Sequence, residues 1–118
     1  MIVVNRTKGK VLGDRVGRAE TFFRRLRGLL FAPPLEGGEG LWIAPCGSVH
    51  TFGMRYPIDV LFLDRRGEVV GLYPNLAPNR FTKHTGRAKG ALELPAGMIS
   101  GTGTELSDRL ELLGGMDD

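Results

Sequence analysis

Six consecutive residues, Ile58-Asp59-Val60-Leu61-Phe62-Leu63, limit the folds open to this chain more than any other stretch. The run is too short for a helix of ordinary length and is rich in β-branched and aromatic residues. It carries no alternation of apolar and polar positions, which is the signature of a strand covered on both faces or closed into a barrel. Asp64-Arg65-Arg66-Gly67 follows as a turn, and Glu68 to Tyr73 returns as the second strand of a hairpin. The centre of the fold is therefore expected to be antiparallel.

Other strands are set off by turn residues. Met1 to Asn5 and Lys10 to Leu12 flank Thr7-Lys8-Gly9, an opening hairpin. Leu41-Trp42-Ile43 enters the central stretch after the Gly-rich loop 36–40, and Gly90 to Leu94 ends at Pro95-Ala96-Gly97. Ser107 to Leu113 closes the pattern, with Leu110 and Leu112 alternating against Arg109 and Glu111. Between Ala19 and Phe31 the period becomes helical. Phe22, Phe23, Leu26, Leu29 and Leu30 share one face, and Pro33-Pro34 ends the element. The expected class is α+β, mainly β: a compact, barrel-like antiparallel sheet of six or seven short strands with one early amphipathic helix. With 118 residues the chain is read as one domain over 1–113, followed by a flexible tail, 114–118.

The net charge of +3 is small and spread along the chain, which does not favour nucleic acid. No run approaches the ~18 apolar residues of a membrane span, and the N-terminus lacks the apolar core of a signal peptide. With one cysteine and no intramolecular disulfide available, a reduced, cytoplasmic protein is expected.

Chemistry concentrates between Pro45 and Asp64, which holds Cys46, His50, Thr51, Met54, Arg55 and Asp59. Cys46 and His50 are four apart. In a helical turn their Cβ atoms lie about 6 Å apart, close enough for an imidazole to activate a thiol. In a strand they lie roughly 13 Å apart, so the pair requires a bend at Gly47-Ser48. The sharper reading makes Cys46 a nucleophile, His50 its base and Asp59 the orienter. The plainer one makes Cys46 a small buried hydrophobe, and Asp59 a cap on backbone amides or the partner of Arg55 or Thr51. Metal ligation by Cys46 and His50 with Met54 or His84 lacks the paired spacing that a tetrahedral site uses, and neither a metal nor a cofactor is expected. The irregular segment from Pro74 to Lys89 carries Phe81, Lys83 and His84 and has the composition of a ligand-meeting loop. The basic residues Arg15, Arg18, Arg24, Arg25 and Arg27 read as a solvated face.

The segments Arg27-Gly28-Leu29-Leu30-Phe31, Gly40-Leu41-Trp42-Ile43, Val49 to Asp64 and Leu92-Glu93-Leu94-Pro95-Ala96-Gly97 together resemble the domain of unknown function 192 family, in the family's order. The resemblance implies a compact β-rich domain and no assigned activity. Ser107-Asp108 stands where relatives often have Gly-Asp.

Three functions follow as expectations. The first is a non-enzymatic binding module, for a small molecule or a protein, with a pocket lined by Cys46, His50, Thr51, Met54, Arg55 and Asp59, and with His84 as a further binding candidate. The second is a cysteine-dependent hydrolase or redox enzyme using Cys46 and His50. The third is a scaffold protein that binds partners through the Pro74 to Lys89 loop.

Overall fold

The computed structural model describes residues 1–19 and 34–114. Eight strands and one helix occur there: β1 (Ile2–Asn5), β2 (Lys10–Gly13), β3 (Arg15–Ala19), β4 (Glu39–Ile43), β5 (Ile58–Leu63), β6 (Val69–Leu76), β7 (Gly90–Pro95), α1 (Met98–Thr102) and β8 (Leu110–Leu113). They form a three-stranded sheet ordered β2-β1-β8 and a five-stranded sheet ordered β3-β4-β7-β5-β6.

Every residue of β5 is buried, because β6 and β7 flank it antiparallel and both faces of the sheet are covered. On one face, Trp42, Leu61, Leu63, Leu92 and Leu94 pack against Val3, Leu12 and Leu110 of the smaller sheet and Ile99 of α1. The other face carries Leu41, Ile43, Ile58, Val60, Phe62 and Ala91, covered in part by Met54, Cys46, Val49 and Tyr56 from the segment between β4 and β5. Burying so many large apolar side chains, at about 1.5–3 kcal/mol each, is the main favourable term in such a fold.

The barrel-like single sheet expected from the sequence is corrected to two sheets, and the strand count rises to eight. Backbone bonds join the sheets at their seams, from Val16 N to Met1 O and from Val69 N to Asp108 O, but the ladders do not run continuously around. One neighbouring pair is parallel: β3 lies along β4, with Gly17 opposite Leu41. Ala19 closes β3, and the rest of the helix expected over Ala19–Phe31 lies outside the described residues.

Two further features position the termini. Asn5 is fully buried. Its amide nitrogen donates to Thr104 Oγ1 and Asp108 Oδ2, and its carbonyl oxygen accepts from Lys8 N, so the β1–β2 turn is held to the approach of β8. Gly67, in the β5–β6 turn, has φ 83°, and a Cβ there would collide with the Leu110 carbonyl. Only glycine fits both requirements. Among the described residues no helix is long and apolar enough to cross a membrane.

Candidate functional site

Asp59 interrupts the apolar run of β5 without exposing its charge. Its neighbours Ile58 and Val60 face one side of the sheet, so strand alternation turns Asp59 to the other, toward α1. There Oδ1 accepts from Asn75 N at 2.7 Å and Oδ2 from Ile99 N at 2.6 Å. Asn75 sits in the left-handed region with φ 53°, beside the irregularity in the β5–β6 register. One fully buried carboxylate thus ties β5, the end of β6 and the first turn of α1 together through two charge-assisted bonds. Arg55 is exposed, and the Thr51 hydroxyl is engaged elsewhere.

Cys46 and His50 are held apart from Asp59 by the sheet. The half-buried Cys46 packs on the face that carries Val60, and its thiol donates to Ser48 O at 3.1 Å. Burial, the largest influence, pushes the thiol pKa up, the Ser48 backbone acts to lower it, and the Glu93 charge adds to the rise. That is the reverse of the shift that activates a nucleophile. His50 is exposed. Its Nδ1 accepts from Phe52 N at 3.3 Å, and its ring stacks on Phe52 at 5.3 Å. The imidazole of His84 lies against Gly47, where a Cβ would stand 2.7 Å from Cε1. Among the described residues no three His, Cys, Asp or Glu side chains are grouped so as to hold a metal ion.

What the structure does bring together is the segment 47–53 and the segment 77–85. Thr85 N donates to Gly47 O, Thr82 N to Val49 O, Thr51 N to Arg80 O and Asn79 N to Thr51 O. The buried Thr51 hydroxyl donates to Ala77 O at 2.7 Å and accepts from Arg80 N at 2.9 Å; the buried Thr82 hydroxyl accepts from Val49 N. Gly53 N donates to Asn79 Oδ1. With Thr51 and Thr82 turned inward, the alternate positions His50, Phe52 and Phe81 turn outward. His50 pairs with Phe81 as an isolated antiparallel bridge, and the rings of Phe52 and Phe81 stand 6.2 Å apart. Phe52 is 49% exposed and Phe81 71%, large values for phenylalanine. Residues 45–57 and 77–87 contain no Asp or Glu, while they carry Arg55, Arg80, Lys83 and Arg87. This pattern of cations and aromatics without a carboxylate is visible in the sequence, but the contact that unites the two segments is not.

Of the residues expected to line one pocket, His50, Arg55 and His84 are exposed, Thr51 and Met54 are buried supports of the loop, Cys46 lies beneath it, and Asp59 faces the other side of the sheet. A second buried carboxylate had no place in that expectation. Glu93 of β7 is paired across the sheet with Leu41 and Val60 and is 4% exposed. Among the described residues its Oε1 has no hydrogen-bond partner. Burial raises its pKa from 4.5 to about 7.

Comparison with known proteins gives a consistent result. The family model DUF192, described as "Uncharacterized ACR", matches residues 3–112. The UPF0127 protein of Thermococcus sibiricus is 39% identical over 115 residues, spanning 93% of this chain and 73% of that protein. The UPF0127 protein of Pyrococcus furiosus is 38% identical over 114 residues, spanning 92% of this chain and 96% of its own length. A crystal structure of a protein of unknown function from Novosphingobium aromaticivorans shares the fold, with a TM-score of 0.82 and 23% identity over 94% of this chain and 83% of that one.

Proposed function

The chain belongs to the DUF192 family, whose matched region is nearly all of it, and from that premise we propose that it is a non-enzymatic binding module whose contact surface is the ring cluster His50, Phe52 and Phe81. The occupant that suits it is an acidic, apolar segment of a partner protein. The observation that carries the reading is the exposure of Phe52 and Phe81 on two segments fastened together by buried threonines. Holding apolar rings in water is unfavourable by about 25 cal/mol per Å2 of apolar area, and that area is recovered when a partner covers it. Their rigid attachment also limits the ordering entropy lost on binding. Aromatic and arginine side chains dominate interface energetics, and the two segments that carry these rings also carry Arg55, Arg80 and Lys83 and no carboxylate. His50, Arg55 and His84 keep the binding role expected of them, while Cys46, Thr51, Met54 and Asp59 support the surface from beneath or behind.

A cysteine-dependent enzyme fits less well, because the thiol is pushed toward its neutral form and the His50 Nδ1 is taken up by Phe52 N. The match over 3–112 supports one domain ending near residue 113; residues 115–118 of the expected tail lie outside the described residues. A single free cysteine supports assignment to the cytoplasm.

The test is selection of peptides from a random displayed library on the purified protein, followed by calorimetry with the enriched sequences. The expected peptides combine Asp or Glu with apolar residues and bind more weakly as salt rises. Phe81→Ser is expected to raise their Kd about thirtyfold, the effect of losing an interface residue worth about 2 kcal/mol. Peptides indifferent to both Phe81→Ser and Phe52→Ser would overturn the reading. So would a single-stranded oligothymidylate that binds these rings more tightly than any peptide, since that marks a nucleic-acid surface.

A further inference from the structure

Away from the ring cluster, a cleft of about 360 Å3 opens at the seam between the two sheets. Its floor is apolar, made of Trp42 and Leu63 from the larger sheet and Leu110 and Leu112 from the smaller one. Its rim is basic, with Arg18, Arg65, Arg66 and Lys89. Two carboxylates also reach it, Asp64, with its charge near Arg66, and Glu111. Asp64 Oδ1 accepts from the backbone of Arg66 and Glu68, and Glu111 is paired with Arg6 at 2.6 Å. The side chains of Arg65 and Lys89 make no hydrogen bond or ion pair among the described residues. The backbone behind them is fixed: Lys89 N donates to Leu63 O, Cys46 N donates to Lys89 O, and the β5–β6 turn closes through Gly67 N to Asp64 O.

We infer that this cleft is a binding site for a small organic phosphate, an ester with a flat apolar or aromatic body. The volume falls at the lower end of the ~300–1,000 Å3 range of small-molecule sites, which fits a ligand of one ring system and one charged group. Two unpartnered cations held by fixed backbone, Arg65 on the β5–β6 turn and Lys89 just before β7, are suited to a phosphate, whose dianion takes up several donors at once. The apolar side distinguishes an ester from inorganic phosphate, because the half-buried Leu112 and the 7%-exposed edge of Trp42 form a narrow apolar strip beside the cations that an ester's body covers and a bare anion does not. This site shares no residue with the ring cluster, and the two readings stand or fall separately.

Trp42 is the chain's one tryptophan, so its fluorescence reports from the floor of this cleft alone. The experiment is a fluorescence titration of the full chain with phenyl phosphate, inorganic phosphate and phenol. Phenyl phosphate is expected to give a saturable change at millimolar or lower concentration, inorganic phosphate to bind at least about tenfold more weakly, and phenol to produce no saturation. Arg65→Gln and Lys89→Gln, both at exposed positions, are each expected to raise the Kd for phenyl phosphate about tenfold, the loss of one charge-assisted contact. Phe81→Ser is expected to leave that Kd unchanged. Three results would overturn the inference: no saturable signal with phenyl phosphate, equal binding of inorganic phosphate, or a Kd indifferent to both charge-removing substitutions.

Discussion

Replacing Glu93 by Gln should make the protein more stable, and increasingly so as pH rises. Glu93 is 4% exposed, lies between Leu41 and Val60 in the sheet, and among the described residues has an Oε1 without a partner. Its pKa is raised from 4.5 to about 7 because burial penalises the carboxylate. In the unfolded chain the side chain ionises near the ordinary value. Between about pH 4.5 and 7, therefore, the native protein keeps a proton that the unfolded chain has released. Stability falls with rising pH wherever the native state binds more protons, so the contribution is complete below about 4.5 and is lost as pH passes through about 7. At about 1.4 kcal/mol per pH unit the whole loss is about 3 kcal/mol, a large share of the ~5–15 kcal/mol that stabilises a typical domain. Glutamine has nearly the shape of the protonated acid and cannot ionise. Its advantage over the parent should grow by about 2–3 kcal/mol between about pH 5 and about pH 8, read from urea unfolding midpoints at a common slope. All other titrating groups are present in both proteins and cancel in the difference. Parallel stability profiles for parent and Glu93→Gln would refute the argument, because they would mean that Glu93 ionises alike in both states.

Asp59→Ala removes two short bonds and leaves the Asn75 and Ile99 amides without their acceptor; it should cost about 4 kcal/mol in urea unfolding and speed hydrogen exchange at Ile99. Cys46 should react slowly with iodoacetamide at neutral pH, with a rate that climbs only above the ordinary thiol value of about 8.5; a midpoint below that value would contradict the burial argument. Gly67→Ala combines a left-handed backbone with a collision against the Leu110 carbonyl, and thermal unfolding should show a loss of about 2 kcal/mol or more.

The parts of the fold that were legible in the sequence are those whose cause is local. β5 could be read because burial on both faces leaves an unbroken apolar run, and the β1–β2 and β5–β6 hairpins because their turns are written in adjacent residues. β3 was not legible. Arg15-Val16-Gly17-Arg18-Ala19 has no strong strand signal of its own, and it becomes a strand by lying parallel to β4, more than twenty residues further along the chain. Helix α1, at five residues, is too short to show a period.

The two buried carboxylates make the same point about the site. Asp59 and Glu93 are each an acid between apolar neighbours, Ile-Asp-Val and Leu-Glu-Leu, on strands that lie side by side. The sequence pattern treats them alike, and by spacing alone Asp59, close to Cys46 and His50, is the more functional of the two. What separates them is the far side of each contact. Asp59 meets two amides, one of them forty residues away in α1, whereas Glu93, flanked in the sheet by Leu41 and Val60, keeps an oxygen with no hydrogen-bond partner among the described residues. A carboxylate supplied with donors on both oxygens becomes a structural tie, while the burial of Glu93 pushes it toward its neutral form. The exposure of Phe81 has the same origin. The ring faces solvent because Thr82 turns inward to bond Val49, thirty-three residues earlier, and no composition of the 74–89 segment encodes that partner. Residue types mark where chemistry can occur, and pairing between distant segments decides which of those residues are buried, bonded or left facing a ligand.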